Sequence, residues 1–344
     1  MPSRRVSQLN RRHSSRRWRG TILVLLAIAT SMAVPVLLGG ATVFRRLGSV
    51  PPWVLGGAPA LMLLAWLLNA FRVKLLVSAN GFHLSLGRAW LISAGGDFGA
   101  ALGPGMVTGI ASYVFLIVRT GIDSAIATAL FTLEKLLDLL IFSATLTASA
   151  ILIALTVRGE HPWRLVAIGF ALCAVFLVGI VIGLVYYRRL LRIAAWAMTR
   201  IHIGFRRRRR FLRWGFDFRR GMIQVLTMPK LRLALLLTLA GGYWAARFTI
   251  LPLVALGLNV PVPWSYLIAV QVLALFAGQV SVLPGGTLSV EAVFALLLLP
   301  WVDRHTLGLM LLLWRGGVFY FTLTAGGLAF LAATKRQTQP GHSE

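Results

Sequence analysis

Arginine crowds two places in this chain, Arg4–Arg19 and Arg188–Arg220, while the stretches between them carry almost no charge. Those stretches run apolar for about 20 residues at a time, the length that crosses a hydrocarbon core of about 30 Å. Several such runs in one chain leave few folds open. Backbone N–H and C=O groups find no water inside a bilayer, so each crossing must satisfy its own hydrogen bonds as a helix. The expectation is an all-α integral membrane protein.

Composition agrees. Only 13% of the 344 residues are charged and 58% are hydrophobic, with a mean hydropathy of +0.81. A soluble chain carries about 25% charged residues. The net charge of +26 raises nucleic-acid binding as a question. A soluble binder needs a polar body to carry its basic patch, and here the basic residues flank apolar runs instead, as the positive-inside rule requires. No nucleic-acid partner is expected. The single cysteine, Cys173, can form no intramolecular disulfide, and the six histidines have no metal-ligand spacing. No Gly-rich nucleotide loop or nucleophile motif is visible, so no cofactor or metal is expected. The first apolar run, Thr21 to Leu38, exceeds a usual signal-peptide core and lacks a clear cleavage site, which favours a retained span.

Along the chain, 1–20 reads as a basic, disordered cytoplasmic tail and 21–187 as a first membrane half. A basic, amphipathic cytoplasmic linker follows at 188–230, then a second membrane half at 231–334 and a cytoplasmic tail at 335–344. About six transmembrane helices are predicted, at 21–40, 53–70, 124–156, 163–187, 231–257 and 306–333. Arg72, Lys74 and Arg88 fall in a short amphipathic stretch after the second span. With the N-terminus inside, 27 Lys and Arg residues lie on the inner side and five outside, which places both termini in the cytoplasm.

Two apolar stretches, 89–118 and 264–299, are too broken to span. The first holds Asp97 and Gly103-Pro104-Gly105; the second holds Leu283-Pro284-Gly285-Gly286. Each reads as a re-entrant helical hairpin. In this topology they enter from opposite sides, which makes an inverted repeat of the kind that builds a midplane site from discontinuous helices. Six charges lie inside apolar runs: Glu134, Lys135, Asp138, Arg247, Glu291 and Arg315. Each costs about 2.5–3.5 kcal/mol at the bilayer centre if unpaired. Three acids balance three bases, so pairing is expected, in structural salt bridges with Lys135 snorkelling or around a hydrated cavity. Glu134 and Asp138, four apart, share a helix face. Asp97 is expected at the mouth of the first hairpin.

These residues carry a resemblance. The chain resembles the lysylphosphatidylglycerol synthase transmembrane-region family over about 60–330, through Pro104-Gly105, Glu134 and Asp138, the Leu283-Pro284-Gly285-Gly286 turn with Glu291, and Arg315. Family members usually carry Pro-Gly-Gly in the first turn and a basic residue soon after; here Met106 replaces the second glycine and Ala111, Ser112 and Tyr113 stand where that base falls. The resemblance implies the lipid-translocating part without the soluble aminoacyl-transferase domain.

The function this implies is a flippase-like protein of the bacterial inner membrane, passing the headgroup of a phospholipid or polyprenyl-linked lipid through a polar cavity. Glu134, Asp138 and Glu291 are the candidates for binding a cationic headgroup or carrying protons, and Arg247 and Arg315 for holding phosphate or locking the acids between states. The turns at Pro104-Gly105 and Pro284-Gly285-Gly286 are the candidate gates. The expected partners are membrane lipids, with anionic lipid at the basic segments; a lipid-modifying enzyme and a second copy of the chain are the candidate protein partners. Two other classes stay open: a membrane transferase using a lipid-linked donor, and a non-catalytic membrane scaffold for a lipid- or envelope-biosynthesis enzyme.

Overall fold

The structure, a computed structural model, describes residues 28–29, 31–40, 42–103, 105–156, 187–200, 204–281 and 283–335, with isolated positions between 167 and 186. The tail at 1–20, most of the expected span at 163–187, Pro104 and the tail beyond Lys335 lie outside the described residues.

Everything described is helix, turn or loop. After a helical stretch at 31–39 come α1 (Thr42–Leu47), α2 (Pro52–Ala79), α3 (Leu86–Ala101), α4 (Gly105–Val118) and α5 (Ser124–Thr156). The basic segment forms α6 (Tyr187–Arg200) and α7 (Phe205–Leu226). The second half holds α8 (Lys230–Phe248), α9 (Ile250–Gly257), α10 (Trp264–Val280), α11 (Ser289–Leu298), α12 (Arg304–Arg315) and α13 (Gly327–Lys335). Two π-helical segments, Gly316–Tyr320 and Thr322–Gly326, lie between α12 and α13. Among the described residues, four helical stretches are long and apolar enough to cross a bilayer: Pro52–Ala79, Ser124–Leu155, Lys230–Gly257 and Arg304–Lys335.

Local chemistry sets the boundaries. Pro52 starts α2 at the first helical position, where its missing N–H costs nothing. Ser85 caps α3 by accepting from Arg88 N, and Asp303 caps α12 by accepting from His305 N and Thr306 N. Pro252 cannot donate to Phe248, so the helix is offset between α8 and α9. Gln271 splices this offset: its Oε1 accepts from Leu251 N at 3.2 Å and its Nε2 donates to Arg247 O at 2.7 Å. One side chain thus satisfies both backbone groups that an unbroken helix would have paired with each other.

The two broken stretches form helical hairpins, α3 packed on α4 and α10 packed on α11. At 1.5 Å per residue the longest of these four helices, the 17-residue α10, measures about 26 Å, short of the hydrocarbon core. The second hairpin turns through Gly285 (φ 62°) and Gly286 (φ 64°), a backbone region that an L side chain enters only with strain. A Cβ on Gly286 would also overlap the backbone of Gly278 on α10. In the first hairpin α3 ends at Ala101 and α4 begins at Gly105. Gly95, Gly96 and Gly99 lie within α3 and give close approach instead: a Cβ on Gly99 would strike Ser112 of α4.

One expectation fails. The second span does not end near residue 70; α2 runs on to Ala79 and carries Arg72 into the core, 0% exposed. Arg72 is therefore no inner-surface charge. The helix continues because Glu134 and Asp138 receive the guanidinium, as described next.

Packing follows the rules of a bilayer-embedded bundle. Lipid tails are as apolar as leucine, so close van der Waals contact and small residues hold helices together. The last helix meets α2 where Gly317 faces Ala58, and α3 where Gly327 faces Phe98. Large rings fill the centre, with Phe294 and Trp314 at 5.0 Å between centroids and Phe142 and Trp244 at 4.4 Å.

Candidate functional site

Eight charged side chains meet inside the bundle. Asp97, Glu134, Asp138 and Glu291 face Arg72, Lys135, Arg247 and Arg315, so acids and bases balance. They form three groups.

The first group is built on Arg72. Its Nη2 lies 2.7 Å from Glu134 Oε1 and its Nη1 donates to Asp138 Oδ1 at 2.8 Å. The four-residue spacing of Glu134 and Asp138 on α5 aims both carboxylates at one planar guanidinium, the fork geometry that Arg supplies and Lys does not. Asp138 also accepts from Trp244 Nε1 and Lys135 Nζ, each at 2.8 Å. Lys135 is one-third exposed and reaches back to its own helix, an i,i+3 pair. Asn69 Nδ2 donates to Ser93 Oγ at 2.8 Å and toward Glu134 Oε1 at 3.3 Å. The carboxylate thereby fixes which way the amide faces.

The second group joins the two halves of the chain. Arg247 Nη1 donates to Asp97 Oδ2 at 2.7 Å, and Trp66 Nε1 donates to the same oxygen at 2.9 Å. Arg247 Nη1 also reaches Tyr243 Oη at 2.7 Å. The Tyr243 ring sits between the Arg72 and Arg247 guanidiniums, 5.2 and 5.4 Å from its centroid, and so links the first two groups.

The third group fastens the second hairpin. Arg315 Nε donates to Glu291 Oε1 at 2.9 Å and Nη1 donates to Gly285 O at 2.8 Å. One side chain on α12 thus grips both the turn and the first helical turn beyond it. Glu291 and Arg315 are each 2% exposed. The π-helical segment begins at the next residue; such a segment is a frequent feature of functional sites.

Two cavities adjoin these groups. The larger, about 110 Å³, touches Arg315, Gly285, Gly286, Trp314 and Thr322. The smaller, about 50 Å³, touches Asn69, Tyr113, Glu134 and Lys135. Asp97, Ala100, Arg247 and Gln279 line both, so the Asp97–Arg247 ion pair stands in the wall between them. The two spaces differ in character. On the larger one alone, the Trp314 Nε1 is a buried donor without a hydrogen-bond partner, and Arg247 Nε, on a residue that lines both spaces, is another. Residues on the smaller one alone carry the buried acceptors Asn69 Oδ1 and Glu134 Oε2 without a partner, together with the Tyr113 hydroxyl, which can donate or accept. A donor set suits an anion and an acceptor set suits a cation or a protonated amine.

The residues singled out from the sequence come together, with Asp97, Arg247, Gly285, Gly286 and Arg315 on the larger cavity, Glu134 on the smaller, and Asp138 and Glu291 held behind them. Pro284 is buried at the start of the second turn, and Gly105 begins α4. Sequence reasoning missed Arg72, Trp66, Asn69, Tyr113, Tyr243 and Trp244. Among the described residues no group of three or more His, Cys, Asp or Glu side chains is placed to hold a metal ion.

The family model of the lysylphosphatidylglycerol synthase TM region matches residues 24–326, which include all eight charges. A UPF0104 membrane protein of Archaeoglobus fulgidus is 23% identical over 278 residues, covering 77% of this chain and 81% of the relative.

Proposed function

This chain belongs to the lysylphosphatidylglycerol synthase TM region family, and from that premise and the geometry we propose that it moves lipid headgroups across the bilayer through its polar interior. The observation that carries the reading is the pair of cavities that share Asp97 and Arg247, the larger with the unpaired Trp314 N–H and the smaller with the unpaired acceptors of Asn69 and Glu134. A phospholipid headgroup that bears an amine fits both: its phosphate faces Arg247, Arg315 and Trp314, and its ammonium faces Asn69 and Glu134. The acyl tails stay in the bilayer.

In this reading the two hairpins are re-entrant and related as an inverted repeat, six helices span, and both termini face the cytoplasm of a bacterial inner membrane. Movement requires that Arg247 exchange Asp97 for the incoming phosphate. Asp97 is 25% exposed at its side chain and Arg247 11%, against 2% for each partner in the Glu291–Arg315 pair, so the dividing pair is the one water can help to separate. Arg315 keeps the second turn in place while this happens. The distinction matters because a buried pair broken without a substitute partner costs several kcal/mol.

A fluorescent-lipid scrambling assay in proteoliposomes tests the proposal. The wild-type protein is expected to expose inner-leaflet amine-bearing phospholipid to a membrane-impermeant quencher faster than empty vesicles, and Glu291→Gln to lose that gain. Equal rates for wild type, Glu291→Gln and empty vesicles would overturn it.

A further inference from the structure

We infer that α7 is an in-plane membrane helix whose arginine face binds acidic phospholipid beside the bundle. This goes beyond the proposed movement of lipid and does not depend on it.

At 100° per residue most side chains of α7 group into three sectors; Arg207 is exposed within the first, and Arg208 and Arg219 stand between the first and the second. Gly215, Gly221, Met222 and Val225 fall within about 120° of one another and are buried. Gly221 meets Ala129 and Ile126 near the start of α5 and Asn80 at the end of α2, so this sector docks α7 onto one end of the bundle. Phe205, Phe216 and Ile223 fall within about 20° of one another on a second sector, and all three are exposed. Arg206, Arg209, Arg210, Arg213 and Arg220 occupy a third sector, about 100° wide, beside the apolar row and are exposed too. Asp217 is the single acid among them, and no ion pair among the described residues engages this face.

An exposed apolar row beside an arginine face is unfavourable in water and stable at a membrane surface. There the rings enter the acyl boundary and the guanidiniums reach phosphate. Position supports the same occupant. Only three residues separate Leu226 from Lys230, the first residue of a helix long and apolar enough to cross the bilayer. The helix is thus held at the level of the headgroups by the chain itself. Arg suits this role because its fork takes phosphate oxygens in pairs. Nucleic acid is the poorer occupant, since it would leave Phe205, Phe216 and Ile223 in water.

The test uses the full chain in phosphatidylcholine vesicles with and without phosphatidylglycerol. Spin-labelled phosphatidylglycerol is expected to be enriched at the protein relative to spin-labelled phosphatidylcholine. Arg206→Gln, Arg209→Gln, Arg210→Gln and Arg213→Gln should each weaken that preference, by up to about fivefold per arginine at low salt. A combined variant with unchanged preference overturns the proposal, provided circular dichroism matches wild type. A second arm places bimane at Phe216→Cys in a Cys173→Ser background. Quenching by a lipid-borne nitroxide rather than by aqueous iodide supports the placement; the reverse pattern overturns it. Retention of an oligonucleotide with no lipid preference also overturns it.

Discussion

Asp97 and Arg247 stand 150 residues apart in sequence and 2.7 Å apart in space, and both line each of the two cavities in the polar interior. Because this pair is the more exposed one, Asp97→Asn is expected to leave the bundle folded. Thermal unfolding should shift by the equivalent of about 1–3 kcal/mol, while lipid movement falls at least about tenfold, the rate equivalent of one lost charged hydrogen bond. The double change Asp97→Asn with Arg247→Gln should fall no further than the worse single variant, the coupling expected of one shared interaction.

Glu291 and Arg315 behave differently because both are buried. Glu291→Gln or Arg315→Met alone strands a charge and is expected to cost about 3–5 kcal/mol. Replacing both should cost less than the sum of the single changes. Unfolding of detergent-solubilised protein, read as a double-mutant cycle, measures the coupling.

Arg72 serves two carboxylates at once, so Arg72→Lys is not conservative. A single ammonium cannot place parallel hydrogen bonds on Glu134 and Asp138. Loss of about 2–3 kcal/mol of stability is expected, the size of an unsatisfied buried charged acceptor. Lys135→Ala, which removes a one-third-exposed partner of Asp138, should cost about 1 kcal/mol or less in the same measurement.

The turn at Gly285-Gly286 admits no side chain. Gly286→Ala must strain a positive φ and displace Gly278, so it should reduce the yield of folded protein and raise proteolysis within the second hairpin. Gly87→Ala, where a Cβ meets nothing within 4 Å, is the matched control and should be neutral or slightly stabilising.

Outside the spans, Asp303 gives a pH dependence. The Thr306 hydroxyl, together with the Thr306 and His305 backbone N–H groups, holds its carboxyl below the usual carboxylate range. The cap's contribution is therefore complete above the ordinary carboxylate pKa and fades as pH falls through the lowered value. Asp303→Ala should cost about 1 kcal/mol at neutral pH, and the difference from wild type should shrink in acid, measured by unfolding at each pH.

Much of this was legible in the sequence, and for a physical reason. A bilayer leaves so few folds that apolar length and broken runs place the four long helices at 52–79, 124–155, 230–257 and 304–335 and the two hairpins, and acids four apart inside such a run share one helix face. Arg72 escaped because a basic residue after an apolar run marks the end of a span as often as it marks a buried partner. The clue was there: Met62, Trp66, Asn69, Val73 and Leu76 step by three and four along one buried face, with Arg72 on its edge. Trp66, Tyr113 and Tyr243 were hidden for another reason. Aromatic rings belong in apolar helices anyway, and only tertiary packing reveals that their polar atoms face charge. The difference between the cavities had no sequence signal, since it depends on which donors and acceptors are left over after pairing.

The proposed route takes a lipid headgroup into the space divided by Asp97 and Arg247. The most direct measurement is photocrosslinking in vesicles with an amine-bearing phospholipid whose headgroup carries a diazirine, followed by peptide mapping. The expected result is adducts on cavity residues such as Tyr113, Gln279 and Trp314, diminished in Asp97→Asn. Adducts confined to outward-facing residues such as Leu63, Leu67 and Phe71, and unchanged by Asp97→Asn, would contradict it.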